Sequence, residues 1–485
     1  MAELILRMAD GTHIAVPSSL DSITTYVILE QERWFEKETA FLAGFLKPGM
    51  TAIDIGANLG VYSLPMARLV APGEVFAYEP ASEPRGLLAR SKELNEAANL
   101  QLVPVALSDR AREGTLVLGA SSELNTLEGS GPGEPVAISS LDAEQAAKGW
   151  QTIDFLKIDA EGEEERILAG AAGFFAKHAP LVMFEVKAGA STNENLPAAF
   201  RALGFVIYRL LDGAPILVPF ATGEALDPYE LNLFAVRPAR AAALAREGFL
   251  VETVPAWTPD DVVRARATAF LKAQPLARIF TALPDGGDVK DPAYRDALAA
   301  YAAWRAGDLA LPGRVAALTF ACDTLVALCQ KQASLARLST LARIAWEAGR
   351  RGVAVNALQL MADILQRGNG QIMEPFWPAN PRFDVIAPDA NVVEWFVLGA
   401  LEQLELTSTF SSRFGGSGVD LGWLAGQKHV SVEIERRRIL QRARAGEKVQ
   451  VPARLRQPAP DHVNAEVWRE GKVPNTVKGK DERSR

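Results

Sequence analysis

Between residues 50 and 237, short apolar runs alternate with segments of helical periodicity. Thr51–Ile55, Glu74–Tyr78, Leu100–Ala106, Phe155–Ile158, Leu181–Val186, Phe205–Leu210 and Leu231–Val236 predict strands. Ser63–Leu69 and Glu83–Asn95, which lie between them, predict helices. This alternation predicts a mostly parallel sheet with helices on both faces. The last two strand candidates have no strong helix between them, which predicts an antiparallel closing hairpin. Nearer the start, Leu4–Met8 and Thr12–Val16 alternate around Asp10-Gly11, the pattern of a β-hairpin.

From about residue 255 the pattern changes. Pro255 and Pro259 mark a linker, and strand-poor, Ala-rich segments follow. Pro292–Ala306, Arg314–Gln330, Leu335–Arg350 and Val353–Arg367 have helical spacing with short Gly-containing joins, so an α-helical domain is expected. Leu341–Gln366 reads as a helix-turn-helix. Its Gly352, Ala357 and Met361 fall where a tetratricopeptide-type repeat puts its turn and packing residues. An irregular bundle fits the same pattern. A Pro- and aromatic-rich loop, 374–383, precedes a last helix near Val392–Leu404. Three regions result: an α/β domain over 1–245, a helical domain over 255–425 and a tail over 433–485. The tail holds 14 Lys/Arg against 8 Asp/Glu, and after Pro452 it is expected to be largely disordered.

Composition narrows the class. The 485 residues are 48% hydrophobic and carry a formal net charge of -8. An acidic chain of this kind does not advertise nucleic-acid binding. The N-terminus lacks the basic and apolar stretches of a signal peptide, and no run of 18 or more apolar residues suggests a membrane span. The expected location is the cytoplasm. Cys322 and Cys329 are read as thiols in a reducing compartment. His13, His178, His429 and His462 are scattered and form no zinc-like set.

The strongest local signal is Asp54-Ile55-Gly56-Ala57-Asn58-Leu59-Gly60, after the first sheet strand and before a helix. Glycine here lets the backbone turn sharply and pass close to a ligand. The G-x-x-x-G spacing is not the phosphate-binding G-x-G-x-x-G, which argues against a dehydrogenase. It suits a ligand whose amino-acid end passes the loop, with Asp54 reaching an ammonium through its hydrogen-bond network. Glu79, ending the next strand ahead of Pro80, is placed to accept both hydroxyls of a ribose. Ser108 and Asp109, after the third strand, suit the edge of an adenine.

These stretches resemble the FkbM family of methyltransferases. The resemblance takes in Glu36 in Trp34–Glu38, the run Leu46–Met50, and Asp54–Gly60 continuing into Val61, Tyr62 and Ser63. It also takes in Glu79-Pro80, Ala106–Asp109, Asp154–Gly162 and Phe184–Val186, so it covers roughly residues 30–237. It implies the seven-stranded class I, Rossmann-like fold with S-adenosyl-L-methionine as methyl donor. Donor contacts would come from Glu36, Asp54, Gly56, Ala57, Asn58, Gly60, Tyr62, Ser63, Glu79, Pro80, Ser108 and Asp109. Family members typically methylate hydroxyls of sugars, polyketides and related metabolites.

Methyl transfer needs an acceptor oxygen aligned on the methyl carbon and a group to take its proton. Lys157, Asp159 and Glu161 stand at the carboxyl end of the fourth strand, and Glu185 at that of the fifth. Asp159 is the first candidate for base or acceptor-orienting group, with Glu161 and Glu185 as alternatives. Clustered carboxylates raise one another's pKa, and Lys157 balances charge. Glu163, Glu164 and Glu165 read as first-turn helix acids. Asp159 and Glu185 suit a divalent cation but lack a clear third ligand, so no required metal is expected. Trp34, Trp377, Trp395 and Trp423 are candidate flat surfaces for sugars, although buried tryptophans are commoner. The expected function is O-methylation of a sugar, glycan or glycosylated lipid, with the helical domain presenting the acceptor or a protein partner. The alternatives are a secondary-metabolite hydroxyl or an amine as acceptor, or an interaction protein on a non-catalytic scaffold.

Overall fold

A computed structural model describes residues 2–119, 122, 125–127, 132–188, 191–193, 195–281, 283, 288–368, 370–388, 391–459 and 462–474. The chain divides into two compact units. The first comprises residues 1–208, 231–243 and 435–485, and the second 209–230 and 244–434.

The first unit opens on the predicted hairpin, β1 (Glu3–Arg7) and β2 (His13–Pro17), paired antiparallel. Helix α1 (Ile23–Gln31) follows, capped by the Ser22 side chain, then α2 (Glu38–Phe45). The central strands are β3 (Ala52–Ile55), β4 (Val75–Tyr78) and β5 (Leu100–Val103), with helices α3 (Ser63–Val70) and α4 (Ser82–Leu94) between them. A small three-stranded sheet comes next: β6 (Val105–Leu107), β7 (Arg112–Val117) and β8 (Gly133–Ser139). After α5 (Leu141–Lys148) the main sheet continues with β9 (Phe155–Ile158). Helices α6 (Glu164–Ala169) and α7 (Ala172–Lys177) lead to β10 (Leu181–Glu185). Short strands β11 (Lys187–Ala188) and β12 (Ser191–Thr192) and helix α8 (Leu196–Ala202) precede β13 (Val206–Leu210). β15 (Asn232–Val236) completes the unit's strands, after β14 (Leu217–Pro219), which falls in the second unit.

Seven strands of the main sheet run in the order β5-β4-β3-β9-β10-β15-β13. All pair in parallel except β15, which is antiparallel to both its neighbours. The closing antiparallel element is therefore β15, inserted between β10 and β13. Every residue of β3, β4 and β9 is buried, as expected of strands covered on both faces. Two charges interrupt these apolar runs, Asp54 on β3 and Lys157 on β9, and the register sets them side by side. From β3 the chain winds out to one edge through β4 and β5, then returns to build the other side from β9. The strand ends between β3 and β9 are thus the reversal point at which open α/β sheets bind ligands.

The second unit is helical: α9 (Pro238–Arg246) leads in, followed by α10 (Asp261–Lys272), α11 (Ala277–Thr281), α12 (Pro292–Ala306) and α13 (Leu311–Lys331). Then come α14 (Leu335–Glu347), α15 (Arg351–Gln366), α16 (Val392–Ser408) and α17 (Leu421–Ala425). Asp260, Asp291, Ser334 and Asn391 cap helix starts with their side chains. Helix α13 is long and apolar enough to cross a membrane, but Val315, Leu318, Ala321, Cys322 and Leu325 join the unit's core. The predicted helix-turn-helix is present as α14 and α15. It turns at Gly349, with φ +71°, while Gly352 lies inside α15 and donates its N–H to Asp227. One such pair is a single unit, and a solenoid takes about three.

Two domain expectations need correction. Residues 209–230 belong to the helical unit, because Leu211, Ile216 and Val218 pack into its core with Val251. The basic tail is not disordered after Pro452 over its described part. Helices α18 (Val432–Arg444), α19 (Ala453–Arg456) and α20 (Ala465–Arg469) order it, and from Glu435 it belongs to the first unit. Composition misled here because Arg436 and Arg437 are buried against acids rather than solvated. The remainder of the tail, 475–485, lies outside the described residues.

Candidate active site

The loop Asp54–Gly60 leaves β3 beside the loop that leaves β9. Gly56 has φ +78°, and a Cβ there would come within 1.7 Å of the Asp159 carbonyl oxygen. Any side chain would drive the two loops apart, so glycine is required twice over, by conformation and by space. The amides of Gly56 and Ala57 both donate to the Tyr78 carbonyl, and Asn58 adopts the left-handed conformation. Ser63, at the start of α3, donates to Asp54 Oδ2 at 2.5 Å.

Glu79 closes the other side of this loop. Its Oε2 accepts from the Asn58 amide at 2.7 Å and its Oε1 from the Ala81 amide at 2.8 Å. Burial pushes its carboxyl up to about 7, against the opposing effect of those two amides. Each oxygen keeps a second lone pair, so the carboxylate can accept two further hydroxyls. Gly60, Tyr62 and Ser63 are buried and shape the loop from behind, while Asn58 and Pro80 are half-exposed.

At the ends of β9 and β10 the acids gather. Lys157 Nζ lies 2.7 Å from Asp159 Oδ2 and 3.7 Å from Asp54 Oδ1. Burial disfavours the charged lysine, but Asp159 and Asp54 outweigh it and raise its pKa. Burial likewise works against ionisation of Asp159. The charge of Lys157 and a hydrogen bond with Glu185 prevail and hold that carboxyl below its usual value. Glu185 goes the other way: burial and the charge of Asp159 push it well above the carboxylate range. The opposed directions favour the proton on Glu185 and the charge on Asp159.

Two further acids flank the pair. Asp159, Glu161 and Glu185 are each half-buried, and each offers an oxygen within 4.8 Å of the others'. Glu161 is thus the third oxygen that spacing alone did not supply for a cation. Glu161 itself sits at φ +48°, a left-handed conformation uncommon outside glycine. Glu36 enters from the segment before α2. Its Oε2 accepts from Tyr62 Oη at 2.6 Å and Asn232 Nδ2 at 2.8 Å, and its Oε1 from Trp34 Nε1 at 2.7 Å. Burial raises its carboxyl, as does the nearby charge of Asp159.

Several expected site residues have partners within the protein. Ser108 is fully buried, and its hydroxyl binds Glu163 Oε2 at 2.6 Å. Asp109, half-exposed, pairs with Arg112 at 2.6 Å. Glu163 and Glu164 do more than favour a helix start: Glu164 Oε1 accepts from the amides of Ala160 and Gly162 and so fixes the loop that carries Asp159 and Glu161. No capping side chain at Glu163 announces this, because the Glu164 acid reaches backwards to a loop. Trp34, Trp377 and Trp395 are buried and offer no face to a sugar, whereas Trp423 is 39% exposed. His178 is buried with a ring nitrogen 2.5 Å from Gln145 Oε1, a satisfied core histidine.

Residues 54–207 match the model of the methyltransferase FkbM domain. Solved structures similar to the chain include an S-adenosylmethionine-dependent O-methyltransferase from Thermotoga maritima, at 18% identity and TM-score 0.26. That match covers 48% of this chain and 77% of the other. A putative methyltransferase from Streptococcus mutans in complex with SAH is 13% identical, with TM-score 0.25, over 42% of this chain and 98% of the other. A putative rRNA methylase from Clostridium thermocellum is 11% identical, with TM-score 0.27, over 42% and 95%. No curated protein matches the chain.

Proposed function

We propose that the S-adenosylmethionine-dependent methyltransferase domain at residues 54–207 methylates a hydroxyl of a polyhydroxylated acceptor, a sugar or glycan. The observation that carries this reading is the cluster of Asp159, Glu161 and Glu185, whose oxygens lie within 4.8 Å of one another at the strand ends facing the donor loop. Neutral hydroxyls donate to carboxylates, and neighbouring sugar hydroxyls suit neighbouring carboxylates. A polyanionic acceptor would meet three acids, an arrangement that repels phosphate.

The donor fits the residues present. The close approach at Gly56 leaves backbone beside an amino-acid end, and Glu79 has acceptor capacity for two ribose hydroxyls. Asp54 is buried, so it acts on the loop through Ser63 and Lys157 rather than by touching ligand itself. When bound, the donor supplies an electrophilic methyl group.

This chain's residues then position and deprotonate. Asp159, kept ionised by Lys157, accepts the acceptor's hydroxyl hydrogen and aims the oxygen. As the C–O bond forms and the methyl's bond to the donor sulfur breaks, the proton would pass to Asp159, and half-exposed Glu185 would release the one it holds to water, which leaves the pair with one proton as before. Such proton transfer contributes about 10²–10⁴-fold. Lys157 supplies the positive charge at the cluster, so a divalent ion is not needed for it. The test is a screen of methyl transfer from labelled donor to oligosaccharides, secondary-metabolite phenols, amines and structured RNA. Transfer to oligosaccharides is expected. Transfer to RNA alone would overturn the acceptor assignment.

A further inference from the structure

The C-terminal segment holds two buried acids of α1 that the chemistry above does not use. Glu30 and Glu32 are 0% and 3% exposed. Helix α18 brings Arg436, whose Nε donates to the Glu30 carbonyl at 2.5 Å and whose Nη1 lies 3.2 Å from Glu32 Oε2. Arg437 Nε lies 3.6 Å from Glu30 Oε1. From beyond α19, His462 Nδ1 comes within 3.2 Å of Glu32 Oε1, and the amides of Val463 and Asn464 donate to the same oxygen. Asn464 also pairs with the backbone of Arg7 on β1, accepting from its N–H and donating to its carbonyl, both at 2.9 Å.

The acids so clamped are next to the active site in the chain. Glu32 ends α1 in a left-handed conformation, and its carbonyl accepts from the Ala9 amide. Two residues later Trp34 begins the segment in which its indole N–H holds Glu36. Glu36 in turn takes the hydroxyl of Tyr62 and the amide of Asn232 beside Lys157 and Asp159. Three residues thus separate Glu32 of the clamp from Glu36 in a wall of the site.

We propose that residues 435–459 and 462–474 form an intramolecular strap whose Arg436–Glu32 clamp positions Trp34 and Glu36 in the methyltransferase site. Arg436 is a positioning residue in this account: it acts through Glu32 and touches no reacting group. The strap arrives in the sequence after the whole helical unit, so a chain cut near residue 240 would keep the sheet and lose the clamp. The effect on donor binding rests on the methyltransferase reading above, whereas the placing of Trp34 does not.

The test uses the full chain labelled with 5-fluorotryptophan, the Trp34 resonance being assigned by its loss in Trp34→Phe. Arg436→Gln should shift or broaden the Trp34 signal and weaken S-adenosylhomocysteine binding at least tenfold, while far-UV dichroism and a cooperative melt persist. Arg436→Lys should recover part of both. Arg442→Ala, on the same helix but 46% exposed, should change neither. Should Arg436→Gln fail to fold, a protease site placed in the exposed 445–448 turn lets the folded chain be cut and the segment beyond the cut released, which strips His462, Val463 and Asn464 of the strap from Glu32. An unmoved Trp34 signal in folded Arg436→Gln, or after fragment release, overturns the proposal. If the wild type itself fails to bind S-adenosylhomocysteine while the Trp34 signal still moves, the donor reading fails and the strap stands.

Discussion

Buried carboxylates occur in both units, and their surroundings differ. In the helical unit Glu347 takes Arg343 Nε at 2.6 Å, Tyr301 Oη at 2.7 Å and Trp304 Nε1 at 2.8 Å. Asp384 takes both Arg343 and Arg305, and fully buried Glu402 takes Arg382. At the ends of β3, β9 and β10, by contrast, Glu36, Asp54 and Asp159 all feel the ammonium of Lys157, while Glu185 feels the charges of Asp159, Glu161 and Glu36. Matched pairs remove the cost of burying charge and fix one packing. The unmatched cluster cannot ionise fully, so it keeps protons that can move, which is how functional sites are built. The clamp on Glu30 and Glu32 follows the matched pattern, which marks it as architecture supporting a site rather than a second site.

The sharpest way to break this contrast is Lys157→Met. Stripping this cation from among the acids should cost about 3–5 kcal/mol of stability, as removing one partner of a buried pair does. The loss should be larger at pH 8 than at pH 5, because at low pH the acids regain neutrality by binding protons. Urea unfolding at the two pH values checks it. Arg343→Met should cost a similar about 3–5 kcal/mol by orphaning Glu347 and Asp384. There, calorimetric affinity for S-adenosylhomocysteine should stay within about twofold, and a tenfold loss would mean that the two sets of acids are not separable.

Glu79 sharpens the comparison in pH. Its pKa is raised from the ordinary 4.5 to about 7 in the folded protein. Its neutral form therefore favours the native state, a contribution complete below about 4.5 and lost as pH rises through about 7. Ligand binding has the opposite sign, since two ribose hydroxyls need the carboxylate. Titration calorimetry should show affinity flat above about 7 and falling roughly tenfold per unit below it. Glu79→Gln should bind weakly at every pH. A smaller effect is expected from chelation: EDTA should change turnover less than about twofold if Lys157 supplies the charge that a metal would.

Much of this was legible in the residues. The run Phe155–Ile158 is found as a strand with those bounds, and Pro292–Ala306 as a helix with its own. Both are long or apolar enough to dominate their surroundings. The loop Asp54–Gly60 was readable because a glycine spacing reports a backbone demand. Strands β7 and β8 were not foreseen, since their side chains alternate weakly and one face is exposed. The strap was invisible for a different reason. Basic composition looks the same whether arginines face water or buried acids more than 400 residues away. Glu161 likewise joins Asp159 and Glu185 through a left-handed turn that no periodicity announces.

Asp159→Asn is the substitution that bears most directly on the unmatched cluster. Asparagine keeps the shape but neither accepts the acceptor's proton nor holds charge opposite Lys157. Methyl transfer to an oligosaccharide and binding of S-adenosylhomocysteine would be measured on the same preparation. Transfer should fall about 10²–10⁴-fold with donor affinity within about threefold. Undiminished transfer by a folded Asp159→Asn protein would contradict the account.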